Sequence, residues 1–201
     1  MLIDLSVKVN EETPVYPGDP KTKIQTCGFL VKDGYQDHYV CMGTHVGTHI
    51  DAPSHMVIGG KNIDELPIEK FSGRGVYIDA TKGFNINELE NIDIREGDIV
   101  LFHTGMSEEY HESEYYEKYP AIPEEVANFL VDKKIKMVGV DMCSPDYPPF
   151  TVHQIFLSKE ILIIENLVGL EQLRDKEFTI SAFPVKYNLD GAPARVVAEI
   201  V

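Results

Sequence analysis

Two short segments constrain the fold of this chain more than any others. In the first, Pro123-Glu124-Glu125 opens a stretch where Val126, Phe129 and Leu130 recur at helical spacing, and the apolar run Met137-Val138-Gly139-Val140 follows. Proline suits the first helical position and acidic side chains suit the positive end of the helix dipole, so the pattern predicts a helix over 123–133 that leads into a strand. In the second, Thr151 is placed as an N-cap for a shorter helix over Val152 to Ser158, which runs directly into Ile161-Leu162-Ile163-Ile164. Two helix-then-strand units argue for an α/β protein.

The rest of the chain weights that class toward strands. Leu2, Leu5, Val7 and Val9 lie among polar residues in a roughly alternating pattern, as in a half-buried strand. Runs rich in β-branched and aromatic residues predict further strands at Lys23 to Val31, Val76 to Ala80, Asp98 to His103, Phe178 to Val185 and Ala194 to Ile200. The expected architecture is therefore a strand-rich mixed sheet with a few helices. Between the first two strands, Thr13-Pro14-Val15-Tyr16-Pro17-Gly18-Asp19-Pro20 reads as a loop, long and aromatic enough to line a pocket.

Length and charge narrow the class of partner. The 201 residues are read as one domain, 1–201, with 33 acidic against 18 basic residues and a net charge of −15. That balance repels phosphate backbones and anionic lipid surfaces, and the densest basic run, Lys133-Lys134-Ile135-Lys136, reads as the solvated end of a helix. Neither nucleic acid nor membrane is expected as a partner. With no basic leader, no long apolar run and three cysteines that form no CxxC pair, the expected location is the cytoplasm and the expected state of the thiols is buried and reduced.

Within Cys41-Met42-Gly43-Thr44-His45-Val46-Gly47-Thr48-His49-Ile50-Asp51-Ala52-Pro53-Ser54-His55, the polar groups His49, Asp51 and His55 fall 4, 6 and 10 residues beyond His45. All three offsets are even, so in an extended chain the four groups share one face while Val46, Ile50 and Ala52 point into the core. Imidazole nitrogens and carboxylate oxygens on a rigid segment suit a divalent metal such as zinc or manganese. Gly43 and Gly47 would permit unusual dihedrals beside the metal, and the Thr44 and Thr48 hydroxyls would orient its ligands. Two distant groups join the candidates: His153 near the start of the short helix, and Glu165 at the end of an apolar strand. Each of these two also fits a solvated surface position.

The stretch from His45 to His55 resembles the HxGTHxDxPxH signature of the cyclase family of metal-dependent hydrolases, which includes bacterial kynurenine formamidase (arylformamidase) and isatin hydrolase. Similar patterns run along nearly the whole chain: Ile3-Asp4-Leu5-Ser6, Pro17-Gly18-Asp19, Thr104-Gly105, Val138-Gly139-Val140-Asp141, His153 followed by Glu165-Asn166-Leu167, and Asp190-Gly191-Ala192-Pro193-Ala194-Arg195. The resemblance implies a swivelling β/β/α domain, commonly a homodimer. It implies that His45, His49 and Asp51 bind one divalent ion, that His153 and Glu165 complete a two-ion site with Asp51 and Glu165 shared, and that His55 is the acid/base. The activity implied is hydrolysis of the amide bond of a small molecule, an N-formyl aryl amide as in tryptophan catabolism. The alternatives are a cyclic amide or lactone, and a metal-binding protein without catalysis. Zinc is the first expectation for the ions and manganese the second.

The chain departs from the family pattern around the substrate. Met56 stands where an aromatic residue usually follows the last signature histidine, and Tyr16 stands in the early loop in place of tryptophan, of which the chain has none. Tyr16 is a candidate substrate contact. His103 is another, with a plain strand-end histidine as the alternative; Cys143 reads as a nucleophile or as a structural thiol, with no base assigned to it.

Overall fold

A computed structural model describes residues 1–201. Seven strands close into a barrel: β4 (His49–Asp51), β5 (Ser72–Asp79), β6 (Ile99–His103), β7 (Met137–Val140), β8 (Leu162–Glu165), β9 (Phe178–Pro184) and β10 (Gly191–Ile200). Around the barrel the order is β10, β4, β8, β7, β6, β5, β9 and back to β10. The pairs from β5 to β8 are parallel and the others antiparallel, so the sheet is mixed as the sequence predicts. Strand β1 (Leu2–Asp4) continues along the β10 edge that β4 occupies at its other end. A separate antiparallel hairpin, β2 (Lys23–Gly28) and β3 (Asp37–Cys41), stands apart from the barrel.

The apolar runs form strands because both of their faces are covered. Ile99, Leu101, Met137, Leu162 and Ile164 point into the barrel with Ile50, Leu5 and Val196. The alternate residues Val100, Phe102, Val138, Val140 and Ile163 pack outward against helices α3 (Glu124–Asp132) and α4 (Thr151–Leu157) through Val126, Ala127, Leu130, Val152 and Phe156. Parallel strands buried on both sides read as continuous rather than alternating apolar segments, as they do here. Two further helices are single turns, α1 (Leu30–Asp33) and α2 (Ile86–Leu89).

Several boundaries differ from the sequence reading. The second predicted strand stops at Gly28, because Phe29 to Gly34 turn into α1 with Gly34 in the left-handed region at φ 78°. The first predicted strand ends at Asp4, with only a bridge from Ser6 to Leu167 beyond it. Pro123 is the cap of α3 rather than its first helical residue. Thr151 does not cap α4: Phe150 precedes the helix at φ 61°, and the Asp146 carboxylate accepts the N–H groups of Val152 (2.6 Å) and His153 (3.3 Å). Of the thiols, Cys143 is buried but Cys27 and Cys41 are exposed on the hairpin. No helix is long and apolar enough to cross a membrane.

Candidate metal centre

The cluster is assembled around β4. His49 and Asp51 share its outward face while Ile50, fully buried, enters the barrel. Strand pairing then fixes the neighbours: His49 lies opposite Glu165 of β8, and Asp51 lies opposite Gly191 of β10. His45 and His55 arrive differently from the expectation of one extended face. His45 lies in a turn that precedes β4, and His55 lies in a single 3-10 turn, Pro53–His55, that follows it. Gly47 makes the first bend at φ 69°, where a Cβ would also come 2.9 Å from Val9. Val46 and Ala52 are nonetheless buried as expected.

His49 and His153 are each oriented by a hydrogen-bond partner on Nδ1. His49 Nδ1 donates to the Gly47 carbonyl (2.8 Å), which directs Nε2 inward. His153 Nδ1 is held by the Asp146 carboxylate, which directs its Nε2 inward as well. Asp51 Oδ1 lies 2.7 Å from His45 Nδ1 and 3.3 Å from His49 Nε2, and its Oδ2 lies 3.6 Å from His153 Nε2. Glu165 Oε2 lies 3.3 Å from His49 Nε2, and its Oε1 lies 3.4 Å from His153 Nε2. Both carboxylates therefore present one oxygen to His49 and the other to His153. A fixed second nitrogen with the first one free is the usual arrangement of an imidazole that ligates a metal.

Thr48 and Asn166 hold the backbone around the ligands, and Thr44 bonds the Asp190 side chain. Thr48 Oγ1 accepts from the Val7 N–H (2.9 Å) and donates to the Asn166 carbonyl (2.7 Å). Asn166 Nδ2 donates to the Gly47 carbonyl (3.0 Å), and Tyr115 donates its hydroxyl to Asn166 Oδ1 (2.8 Å). Thr44 reaches Asp190 Oδ1 at 3.4 Å. Asp190 itself was not legible as part of the cluster, and neither was Asp146; Asp190 is held there by contacts far along the chain and Asp146 by the local fold-back at the entry to α4.

The cluster concentrates charge that burial alone would not tolerate. Burial lowers the proton affinity of His49, but Asp51 and Glu165 outweigh it and push its pKa up to about 10. The same opposition leaves His45 raised by Asp51, and His153 raised well above its ordinary value by Asp146, Asp51 and Glu165. Burial works against the Asp51 charge, yet His45, His153 and His49 hold its carboxyl well below the usual carboxylate range. His49 Nε2 and Asp51 Oδ2 are buried and unpaired, since the contacts near them are not aligned as hydrogen bonds. With Nδ1 donating to Gly47, His49 Nε2 of the neutral ring is a lone-pair atom like Asp51 Oδ2, and two buried, unpaired lone-pair atoms in one cluster fit a divalent cation. His45, His49 and Asp51 place ligand atoms within 4.8 Å of one another, as do Asp51, His55 and His153.

Beside the cluster is a cavity of about 260 Å³, lined by Tyr16, Met56, Tyr116 and Phe150 together with His45, His55, His153 and Glu165. Tyr16 meets Tyr116 edge to face, with ring centroids 6.0 Å apart. His103 lies elsewhere: it is nearly buried at the end of β6, its Nδ1 2.9 Å from the Tyr77 hydroxyl, and it does not line this cavity. Cys143 also reaches the cavity wall, and burial pushes its thiol well up, which favours the neutral form.

A barrel that carries a buried histidine and carboxylate cluster beside an aromatic cavity is that of a metal-dependent hydrolase. The chain belongs to the family described as "Putative cyclase", whose sequence profile matches residues 3–147. It is 31% identical to a kynurenine formamidase of Geobacillus thermodenitrificans over 202 aligned positions, covering 96% of this chain and 94% of that one. Among solved structures it is similar to isatin hydrolase A from Labrenzia aggregata, with a TM-score of 0.84 at 26% identity over 100% of this chain and 93% of the other. It is also similar to a predicted metal-dependent hydrolase from Bacillus stearothermophilus, with a TM-score of 0.81 at 30% identity over 98% and 97%.

Proposed function

We propose that the chain hydrolyses the amide bond of an N-formyl aryl amide, as its kynurenine formamidase relatives are named for doing. In this reading His45, His49 and Asp51 hold one divalent ion, and His153 and Glu165 complete a second site in which both carboxylates are shared. Zinc is the first choice for the ions and manganese the second, since both take imidazole and carboxylate ligands. The observation that carries the reading is that Asp51 and Glu165 each turn one oxygen to His49 and one to His153. Bound divalent ions supply Lewis acidity, which acidifies water and polarises a carbonyl.

The remaining chemistry belongs to the protein. His55 lines the cavity beside the cluster, its ring 6.0 Å from that of His153. It takes the proton of the attacking water as the O–C bond forms and delivers it to the departing nitrogen as the C–N bond breaks, which yields formate and an aryl amine. Tyr16, Tyr116 and Phe150 offer flat apolar walls to the aryl ring. A cyclic amide or lactone would use the same groups, and the TM-score of 0.84 to an isatin hydrolase favours keeping that second reading.

We read the 201 residues as one domain acting in the cytoplasm, where exposed reduced thiols such as Cys27 and Cys41 persist. A homodimer is supported by the exposed apolar side chains Phe29, Leu30, Val31 and Tyr39 on and beside the hairpin. The test of the function is hydrolysis of N-formylkynurenine, isatin and simple lactones by zinc-loaded protein and by His55→Ala. Turnover of the formamide, reduced by about two to four orders of magnitude in the variant with metal retained, is expected. Full activity in His55→Ala would remove its assigned role, and activity only on isatin or a lactone would select the second reading.

A further inference from the structure

Asp190 is hydrogen-bonded to both a candidate ligand and the proton carrier. Its Oδ2 lies 3.0 Å from His45 Nε2 and 3.2 Å from His55 Nδ1, and its Oδ1 accepts from Thr44 Oγ1 at 3.4 Å. The two imidazole rings that converge on it are themselves in contact, with centroids 4.0 Å apart. The position is built by the backbone. Asp190 immediately precedes the first residue of β10, its carbonyl accepts the Ala52 N–H at 2.8 Å, and the preceding Leu189 carbonyl accepts the Ile63 N–H at 3.0 Å. Gly191 completes the seat, because a Cβ there would fall 2.7 Å from His45 Cε1 and push the ring away.

The chemistry of the contact decides a tautomer. An ionised carboxylate only accepts hydrogen bonds, so each nitrogen that faces Asp190 must carry the hydrogen. His55 is then the Nδ1–H tautomer, which leaves its Nε2 lone pair as the proton acceptor. By the same rule His45 carries a hydrogen on Nε2 toward Asp190 and, until a cation takes its place, one on Nδ1 toward Asp51. Without the carboxylate, nothing else bonded to His55 Nδ1 would hold the ring in that tautomer.

We propose that Asp190 is the positioning residue of the reaction, a single carboxylate that selects the Nδ1–H tautomer of His55 and at the same time orients His45. The inference rests on the reading of His55 as proton carrier, and its test separates the two. Zinc-loaded protein labelled with 15N-histidine reports the tautomer of each ring directly, with His55→Ala supplying the assignment. The parent is expected to show His55 protonated on Nδ1, and Asp190→Asn and Asp190→Ala are expected to lose that signature. In both variants kcat at saturating zinc should fall about 10–100-fold, with KM within about twofold and zinc content at saturation unchanged, while zinc affinity falls as it does for any residue that orients a ligand. The isosteric Asn variant guards against a folding defect in the Ala variant. Retention of the Nδ1–H signature in both variants would overturn the role of Asp190 even if His55→Ala is inactive. A zinc content that stays low even at saturating zinc would make Asp190 a ligand, and a raised KM at unchanged kcat would make it a substrate contact; either result also overturns the proposal. Full activity in His55→Ala would instead overturn the proton-carrier reading on which it rests.

Discussion

Removing the metal should leave protons in its place, and the pKa of His49 sets how many and at what cost. In the metal-free protein the His49 pKa is pushed up to about 10 against an ordinary value of 6.5, so at pH 7.5 the ring keeps its proton between Asp51 and Glu165. Metal uptake must displace that proton. At 1.36 kcal/mol per pH unit, displacing a proton from a group whose pKa lies well above the solution pH costs about 3 kcal/mol, on the order of a few hundredfold in apparent affinity. Apparent affinity for zinc should therefore rise about tenfold per pH unit between pH 6.5 and 10 for this proton alone. His153, also raised well above its ordinary value, steepens the slope in the same direction. The stability of the stripped protein should run the opposite way. A raised histidine contributes fully below its unfolded value of 6.5, and that contribution is lost as pH rises through about 10. Titration calorimetry in buffers of different ionisation enthalpy counts the protons released on zinc binding, and at least one per chain is expected at pH 7.5. Zero released protons, or an affinity that does not change with pH over this window, would refute the assignment of His49 and its neighbours as ligands.

Other perturbations read different parts of the structure. Asp146→Ala removes the carboxylate that holds His153 Nδ1 and closes the first turn of α4, so zinc affinity should fall about 10–100-fold in competition with a chromophoric chelator. An affinity within twofold of the parent would show that His153 is oriented by something else. Ile50→Ala empties a fully buried position inside the barrel and should destabilise the metal-free protein by about 2–5 kcal/mol in urea, while the outward face of β4 keeps its ligands. A loss below about 1 kcal/mol would contradict that placement.

How much of this was legible along the chain depended on distance. The four-residue apolar runs Met137–Val140 and Ile161–Ile164 announced central strands because burial on both faces leaves no polar position to confuse the pattern. The hairpin strand Asp37–Cys41 carried no such mark, since all five of its residues are exposed. Within the cluster, His49 and Asp51 share a face because they are two apart on a strand, as the even spacing required. His45 and His55 reach the same place through turns, at Gly47 and at Pro53, that parity does not describe. Asp190 and Asp146 were silent for a different reason. Asp190 sits beside His45 only because β10 pairs with β4 across 145 residues, and Asp146 meets His153 only because the chain folds back at the entry to α4. A carboxylate in a loop has no periodic signature, so only the folded pairing reveals it. His103 shows the converse case: a histidine at the end of an apolar strand looked available to a substrate, but the hydroxyl of Tyr77 on the neighbouring strand occupies its Nδ1.

The central claim is that the two carboxylates Asp51 and Glu165 are shared between two ions. Elemental analysis of the purified parent and of Glu165→Ala, each loaded with zinc and freed of excess, tests it most directly. Two zinc ions per chain in the parent, with occupancy lost in the variant, is the result expected. A zinc content left unchanged by Glu165→Ala would contradict it.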